Sequence, residues 1–235
     1  MSELSERVAR VREHVARTAC ESGRSAEDVH IIAIAKTFPA HDVVAAARAG
    51  LRSFGENRVQ EAARKIPEVR ATQALDLEWH FVGRLQRNKA RKAVQLFDVI
   101  QSVDRADLAA DLERAAAASG QLQRILLDVN VDEEPQKGGV FPGAAAELLA
   151  RIDALPRLQP LGLMAIPRAC TKPEEVRPSF ARLRKLLEEL NRGRREERRL
   201  RELSMGMSAD YEIAIQEGAT WVRIGTALFG ARRTK

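Results

Sequence analysis

Two kinds of apolar spacing alternate along the chain. Short runs of consecutive strand-forming residues, such as Ile31-Ile32-Ala33-Ile34-Ala35, give way to longer stretches whose apolar positions recur three and four apart. The short runs predict strands at His30 to Ala35, Ser53 to Gly55, Trp79 to Val82, Val99 to Ile100, Arg124 to Val129, Leu158 to Met164, Glu202 to Ser204 and Trp221 to Ile224. The helical spacing predicts helices at Leu4 to Glu21, His41 to Ala49, Arg58 to Ile66, Lys89 to Leu96 and Asp104 to Ala118. Further helices follow at Gly143 to Leu155, Glu174 to Leu190 and Ala209 to Glu217, with a short one at the end.

Strands alternating with helices imply parallel pairing through right-handed crossovers. Eight such units close a (β/α)8 TIM barrel, an α/β fold. An open doubly wound sheet would call for a GxGxxG loop after a strand, and none is present. No Pro/Gly/Ser-rich linker divides the 235 residues, so positions 1–235 read as one domain.

Composition narrows the function classes. Hydrophobic residues make up 45% and charged residues 31%, an ordinary globular balance. No apolar run reaches the length of about 18 residues that a membrane helix needs. The charged stretch Met1 to Arg12 has no apolar secretory core, so a cytoplasmic location is expected. Cys20 and Cys170 form no CxxC pair and read as reduced, buried or half-buried thiols. The net charge of +6 permits nucleic-acid binding. However, Glu196 and Glu197 interrupt the densest basic stretch, Arg192 to Arg201, and only 4% of residues are aromatic. That stretch reads as a solvated helix end and loop, and nucleic acid is not an expected partner.

The candidate chemistry lies at the C-terminal ends of the strands, where a barrel builds its sites. The first run ends in Lys36. A lysine at the end of a strand buried on both faces is either a snorkelling surface charge or a nucleophile whose amine burial and nearby cations make accessible. Gly206 and Ser208 follow the seventh strand, with Ser208 a candidate cap whose helix end points at the same spot. Gly225 and Thr226 follow the eighth. Together these turns suggest a phosphate cradle opposite Lys36. Arg223 alternates with Val222 and Ile224, so it points into the barrel mouth; the alternative is a structural pairing with Glu56 or Asp210. Asn57 is a helix cap or a site residue, and His80 a satisfied core histidine or a site residue. Cys170 and Tyr211 fall near the same rim without an assigned role.

Several segments carry a resemblance to a known family. They are Ala33-Ile34-Ala35-Lys36-Thr37, Phe54-Gly55-Glu56-Asn57-Arg58-Val59-Gln60-Glu61, Trp79-His80-Phe81-Val82-Gly83 running on to Asn88-Lys89, Gly162 to Pro167, Leu203 to Ser208 with Asp210, and Val222 to Gly230. The chain resembles the pyridoxal 5′-phosphate (PLP) homeostasis proteins. The resemblance implies an alanine racemase N-terminal-domain-like barrel that holds PLP as a Schiff base on Lys36. It implies phosphate contacts from Ser204, Met205, Gly206, Ser208, Gly225 and Thr226, ring contact from Arg223, and Asn57 beside the lysine. Arg58 and Arg84 depart from the tyrosine and histidine common at those positions, and Arg87 varies the adjoining loop.

The resemblance further implies a carrier that buffers PLP or delivers it to PLP-dependent apoenzymes. An arginine at the pyridine nitrogen donates a hydrogen bond and keeps its proton, which weakens the ring as an electron sink. Racemases of this fold add a second base, typically a tyrosine from an extra domain, and the barrel units use up this sequence. The alternatives are a PLP-dependent amino-acid racemase, a Schiff-base aldolase using Lys36 without a cofactor, and a nucleic-acid binder.

Overall fold

The computed structural model describes residues 3–72 and 76–230. Met1, Ser2, residues 73–75 and residues 231–235 of the expected 1–235 unit lie outside the described residues. The strands are β1 (His30–Ile34), β2 (Ser53–Glu56), β3 (Glu78–Phe81), β4 (Val99–Val103), β5 (Gln123–Asp128), β6 (Leu158–Met164), β7 (Glu202–Met207) and β8 (Trp221–Ile224). They pair in parallel in chain order, and β1 closes on β8 through Ala33↔Ile224. Around them run α1 (Glu3–Glu21), α2 (Ala40–Arg48), α3 (Val59–Thr72), α4 (Ala90–Leu96) and α5 (Ala106–Ala118). The ring continues with α6 (Ala145–Asp153), α7 (Arg177–Leu190), α8 (Tyr211–Gln216) and α9 (Thr226–Phe229). The expected eight-unit barrel is therefore present.

Strand alternation separates two cores. Ala33, Phe54, Trp79, Phe81, Ile125, Leu163 and Val222 face outward and pack with the helices in one large apolar layer. Ile32, Ile34, Val99, Leu126, Met164 and Trp221 face inward and form a smaller cluster inside the barrel. Because apolar side chains fill both layers, polar residues at inward positions stand out. They are His80, Gln101, Ser204 and Arg223, all buried.

Three elements run well past the sequence reading for physical reasons. The helix expected to end at Ile66 continues as α3 through Pro67 to Thr72. Proline there removes one backbone donor, at about 3 kcal/mol. Ile66 and Val69 bury on the same face and keep the helix going. β4 runs on past Ile100 to Val103 through a register shift, and β7 runs past Ser204 to Met207 through another. Cys20, expected to be buried or half-buried, is exposed, because it lies off the stripe of Val8, Val11, Val15 and Ala19 that α1 presents to the core. Cys170 is half-buried, and both thiols are free.

One polar clamp fixes the chain where β1 ends. Lys65, on α3, donates to the Ala35 carbonyl at 2.7 Å and to the Glu56 carboxylate. Both side chains are buried, and burial pushes the Glu56 carboxyl up while Lys65 pulls it back. The clamp joins β1, β2 and α3 directly before Lys36. Lys65→Met strands a buried carboxylate and is expected to lower unfolding free energy by about 3–5 kcal/mol. In denaturant titrations, Glu56→Gln added to that variant restores most of the loss. An equal loss in the double variant would contradict the clamp.

Candidate functional site

Lys36 sits half-buried two residues beyond β1, at the C-terminal end of the barrel and within electrostatic reach of Glu56. Its turn is strained and braced. Thr37 has φ of 70°, a left-handed conformation uncommon for a β-branched residue, which stores about 1–3 kcal/mol. Phe38 then stacks on Phe229 of α9, with ring centroids 4.8 Å apart. This contact holds the Lys36 turn against the Gly225–Thr226 turn.

The sequence reading placed the two glycine turns opposite Lys36. Barrel closure corrects this, because β8 is the direct neighbour of β1. A Cβ on Gly225 would lie 3.5 Å from the Ile34 Cβ, in ordinary contact. Gly206 has φ of 87°, and a Cβ there would come within 2.5 Å of the Ala214 Cβ, so that turn requires glycine. Ser208 is not the cap of α8, which starts at Tyr211 and has only six residues. Its Oγ instead accepts from the Gly225 N–H at 3.2 Å and the Ala227 N–H at 3.4 Å, tying the two turns together. Asp210 Oδ1 accepts the Met207 N–H at 2.6 Å. Burial raises the Asp210 carboxyl, while that bond and Arg223 oppose the rise. Thr226 is exposed at the start of α9.

Arg223 points into the barrel, as its alternation predicted. It donates to Ser204 Oγ and to the Ala165 carbonyl, each at 2.8 Å. Ser204 Oγ donates in turn to Gln101 Oε1 at 2.7 Å. Gln101 Nε2 meets His80 Nδ1 at 3.0 Å, and His80 Nε2 meets Glu78 at 2.8 Å. Arg124 closes the series on Glu78 at 2.8 Å. A buried cation thus connects through the barrel interior to an ion pair nearer its other end. Burial draws the Arg223 guanidinium down to about 10, with Asp128 and Asp210 opposing; its charge survives at neutral pH. The Glu78 carboxyl is held down at about 2, first by its hydrogen bond to His80. His80 is therefore a satisfied interior histidine. Neither salt-bridge alternative holds for Arg223: Glu56 pairs with Lys65, and Asp210 acts on Arg223 only through its field.

The remaining expected residues divide. The Ser204 hydroxyl serves Arg223 and Gln101 and does not stand open to an anion. Met205 packs its side chain into the outer layer, so only its backbone borders the mouth. Asn57 lies half-buried just past β2, and its side chain makes no hydrogen bond among the described residues. Tyr211 leaves the rim for the outer layer, where burial raises its phenol, followed by Glu212.

Gln101 and Asp128 were missed. Both are polar residues at inward positions of otherwise apolar strands, which is the signal that would have found them. Burial pushes the Asp128 carboxyl up to about 7, aided by Asp104 and opposed by Arg223. The Ser102 Oγ, near the end of β4, is buried and has no hydrogen-bond partner among the described residues. An amine, a fixed cation and two linked glycine turns suit a ligand bearing a carbonyl and an anionic tail.

Comparison with known proteins follows the same geometry. Residues 7–233 match the family model described as alanine racemase, N-terminal domain. A pyridoxal phosphate homeostasis protein of Aquifex aeolicus is 43% identical over 97% of this chain and 98% of its own length. Another, of Pseudomonas aeruginosa, is 44% identical over 99% of this chain and 97% of its own. The structure of PipY from Synechococcus elongatus with PLP bound superposes with a TM-score of 0.84 at 41% identity, covering 97% of this chain and all of that one.

The Asp128 carboxyl gives a test of the electrostatics. Its folded value near 7 lies above the unfolded value of about 3.9. Between these values the folded state holds a proton that the unfolded state lacks, so stability falls as pH rises from about 4 to 7 and levels off above. The stability of Asp128→Asn relative to the parent is expected to rise over that window in pH-dependent denaturation. A pH-independent difference would contradict the assignment.

Proposed function

This chain belongs to the pyridoxal phosphate homeostasis family, and from that premise we propose that it binds PLP at the barrel mouth, buffers it and delivers it to apoenzymes in the cytoplasm. The observation that carries the reading is the convergence of Lys36, Arg223 and the Gly206 and Gly225 turns at one end of one barrel. When bound, PLP supplies an aldehyde that condenses with an amine and a ring that draws electrons.

The residues divide the work. Lys36 supplies the amine, and the strained Thr37 turn together with the Phe38–Phe229 stack holds it beside the tail site. Backbone at Gly206 and Gly225, with the hydroxyls of Ser208 and Thr226, would grip the phosphate. Met205 would contribute backbone only, and Ser204 would act by holding Arg223 in place. Asn57 would border the amine. Arg223 would meet the ring nitrogen as a donor that retains its proton.

That last feature favours a carrier over a racemase. A ring nitrogen given a hydrogen bond but no proton stabilises a carbanion poorly. Tyr211 packs into the outer layer and offers the mouth no second base. Incubation with L-alanine is expected to yield no sustained D-alanine; steady production would overturn the carrier reading. Lys36→Ala is expected to lose the yellow absorbance of the PLP-loaded protein while keeping its melting temperature within a few degrees. An undiminished chromophore would place the amine elsewhere.

A further inference from the structure

Beside the mouth lies a cleft of about 770 Å³ between the connections that follow β2 and β3. Its walls are set by backbone: a Cβ on Gly83 would come within 2.2 Å of the Asn57 carbonyl oxygen, so only glycine lets the two connections touch. Cations line it out of proportion to carboxylates. Arg58 is answered by Glu61 at 3.5 Å. Arg105, at the far side, is answered by Asp104 and Asp107. Arg64, Arg84 and Lys89 make no ion pair or side-chain hydrogen bond among the described residues. Three uncompensated positive charges thus converge on one concavity.

We propose that this cleft is a second, non-covalent binding site for a phosphomonoester, distinct from the mouth and separated from it by Asn57. A dianionic phosphate offsets two of the three unanswered charges, and the planar forks of Arg64 and Arg84 suit its oxygens. The volume is that of a small-molecule site. The charges gather in a pocket and do not run as a track, which disfavours a nucleic-acid backbone. The proposal does not rest on the cofactor reading, because none of these charges belongs to the mouth residues.

The test titrates phenyl phosphate, and separately inorganic phosphate, into the full chain by calorimetry. The titration is run on the unloaded protein and on borohydride-reduced, PLP-loaded protein, in which the mouth is already filled. Saturable binding is expected in both, weakened at least about tenfold by Arg84→Gln combined with Lys89→Gln. It is expected to be unchanged by Arg151→Gln, an exposed arginine on α6 that serves as a charge control. Equal affinity for the two probes assigns recognition to the phosphate alone, and tighter phenyl phosphate adds a contact to the ligand body; both support the site. Near-ultraviolet circular dichroism confirms that the variants are folded. No saturable binding, an equal loss in Arg151→Gln, loss of binding whenever the mouth is blocked, or retention of a duplex oligonucleotide in place of phosphomonoester would each overturn the proposal.

Discussion

A guanidinium enclosed in a closed barrel constrains everything around it. Burying a charge costs many kcal/mol unless hydrogen bonds and countercharge replace water. Arg223 receives both kinds of relief: Ser204 and the Ala165 carbonyl accept from it, while Asp128 and Asp210 supply negative field. Ser204 must then be held, which falls to Gln101, and Gln101 to His80. The inward polar residues of β3, β4 and β7 thus form one dependent set with an apolar interior cluster beside them. Removing a link leaves a buried polar group unsatisfied, which is worse than replacing the whole set.

Closure of the barrel supplies the second constraint. Because β1 pairs with β8, the lysine turn and the Gly225 turn are side by side, and the Phe38–Phe229 stack fixes their spacing. Ser208 bridges from the β7 turn to the same place. A molecule seated there meets the amine and the backbone of both glycine turns from adjoining elements, with the arginine beneath. On the outer side, Lys65 and Glu56 anchor the backbone from which Lys36 emerges. The amine is thus supported from both layers of the fold.

Much of this was legible in the chain. Strand and helix spacing alone yields eight βα units, because fully buried parallel strands read as apolar runs and surface helices as amphipathic stripes. The inward direction of Arg223 followed from its apolar neighbours at 222 and 224. What escaped was tertiary. The extension of β4 and β7 depends on bulges, which leave no local signature. The role of Ser208 depends on a partner seventeen residues away, so a helix cap was the nearest local explanation. Whether Ser204 faces an anion or an arginine is decided across the barrel. Cys20 follows from the phase of one helical stripe. The cleft charges could be named from the sequence but not brought together, because Arg64 lies on α3 while Arg84 and Lys89 lie on the connection after β3.

The central claim is that the amine of Lys36 is the one that captures the aldehyde. Borohydride reduction of the PLP-loaded protein, followed by proteolysis and mass spectrometry, reads this directly. The account predicts a single pyridoxyl-modified peptide carrying the label on Lys36. Label concentrated on Lys89, Lys137 or any other lysine, with Lys36 unmodified, would contradict it.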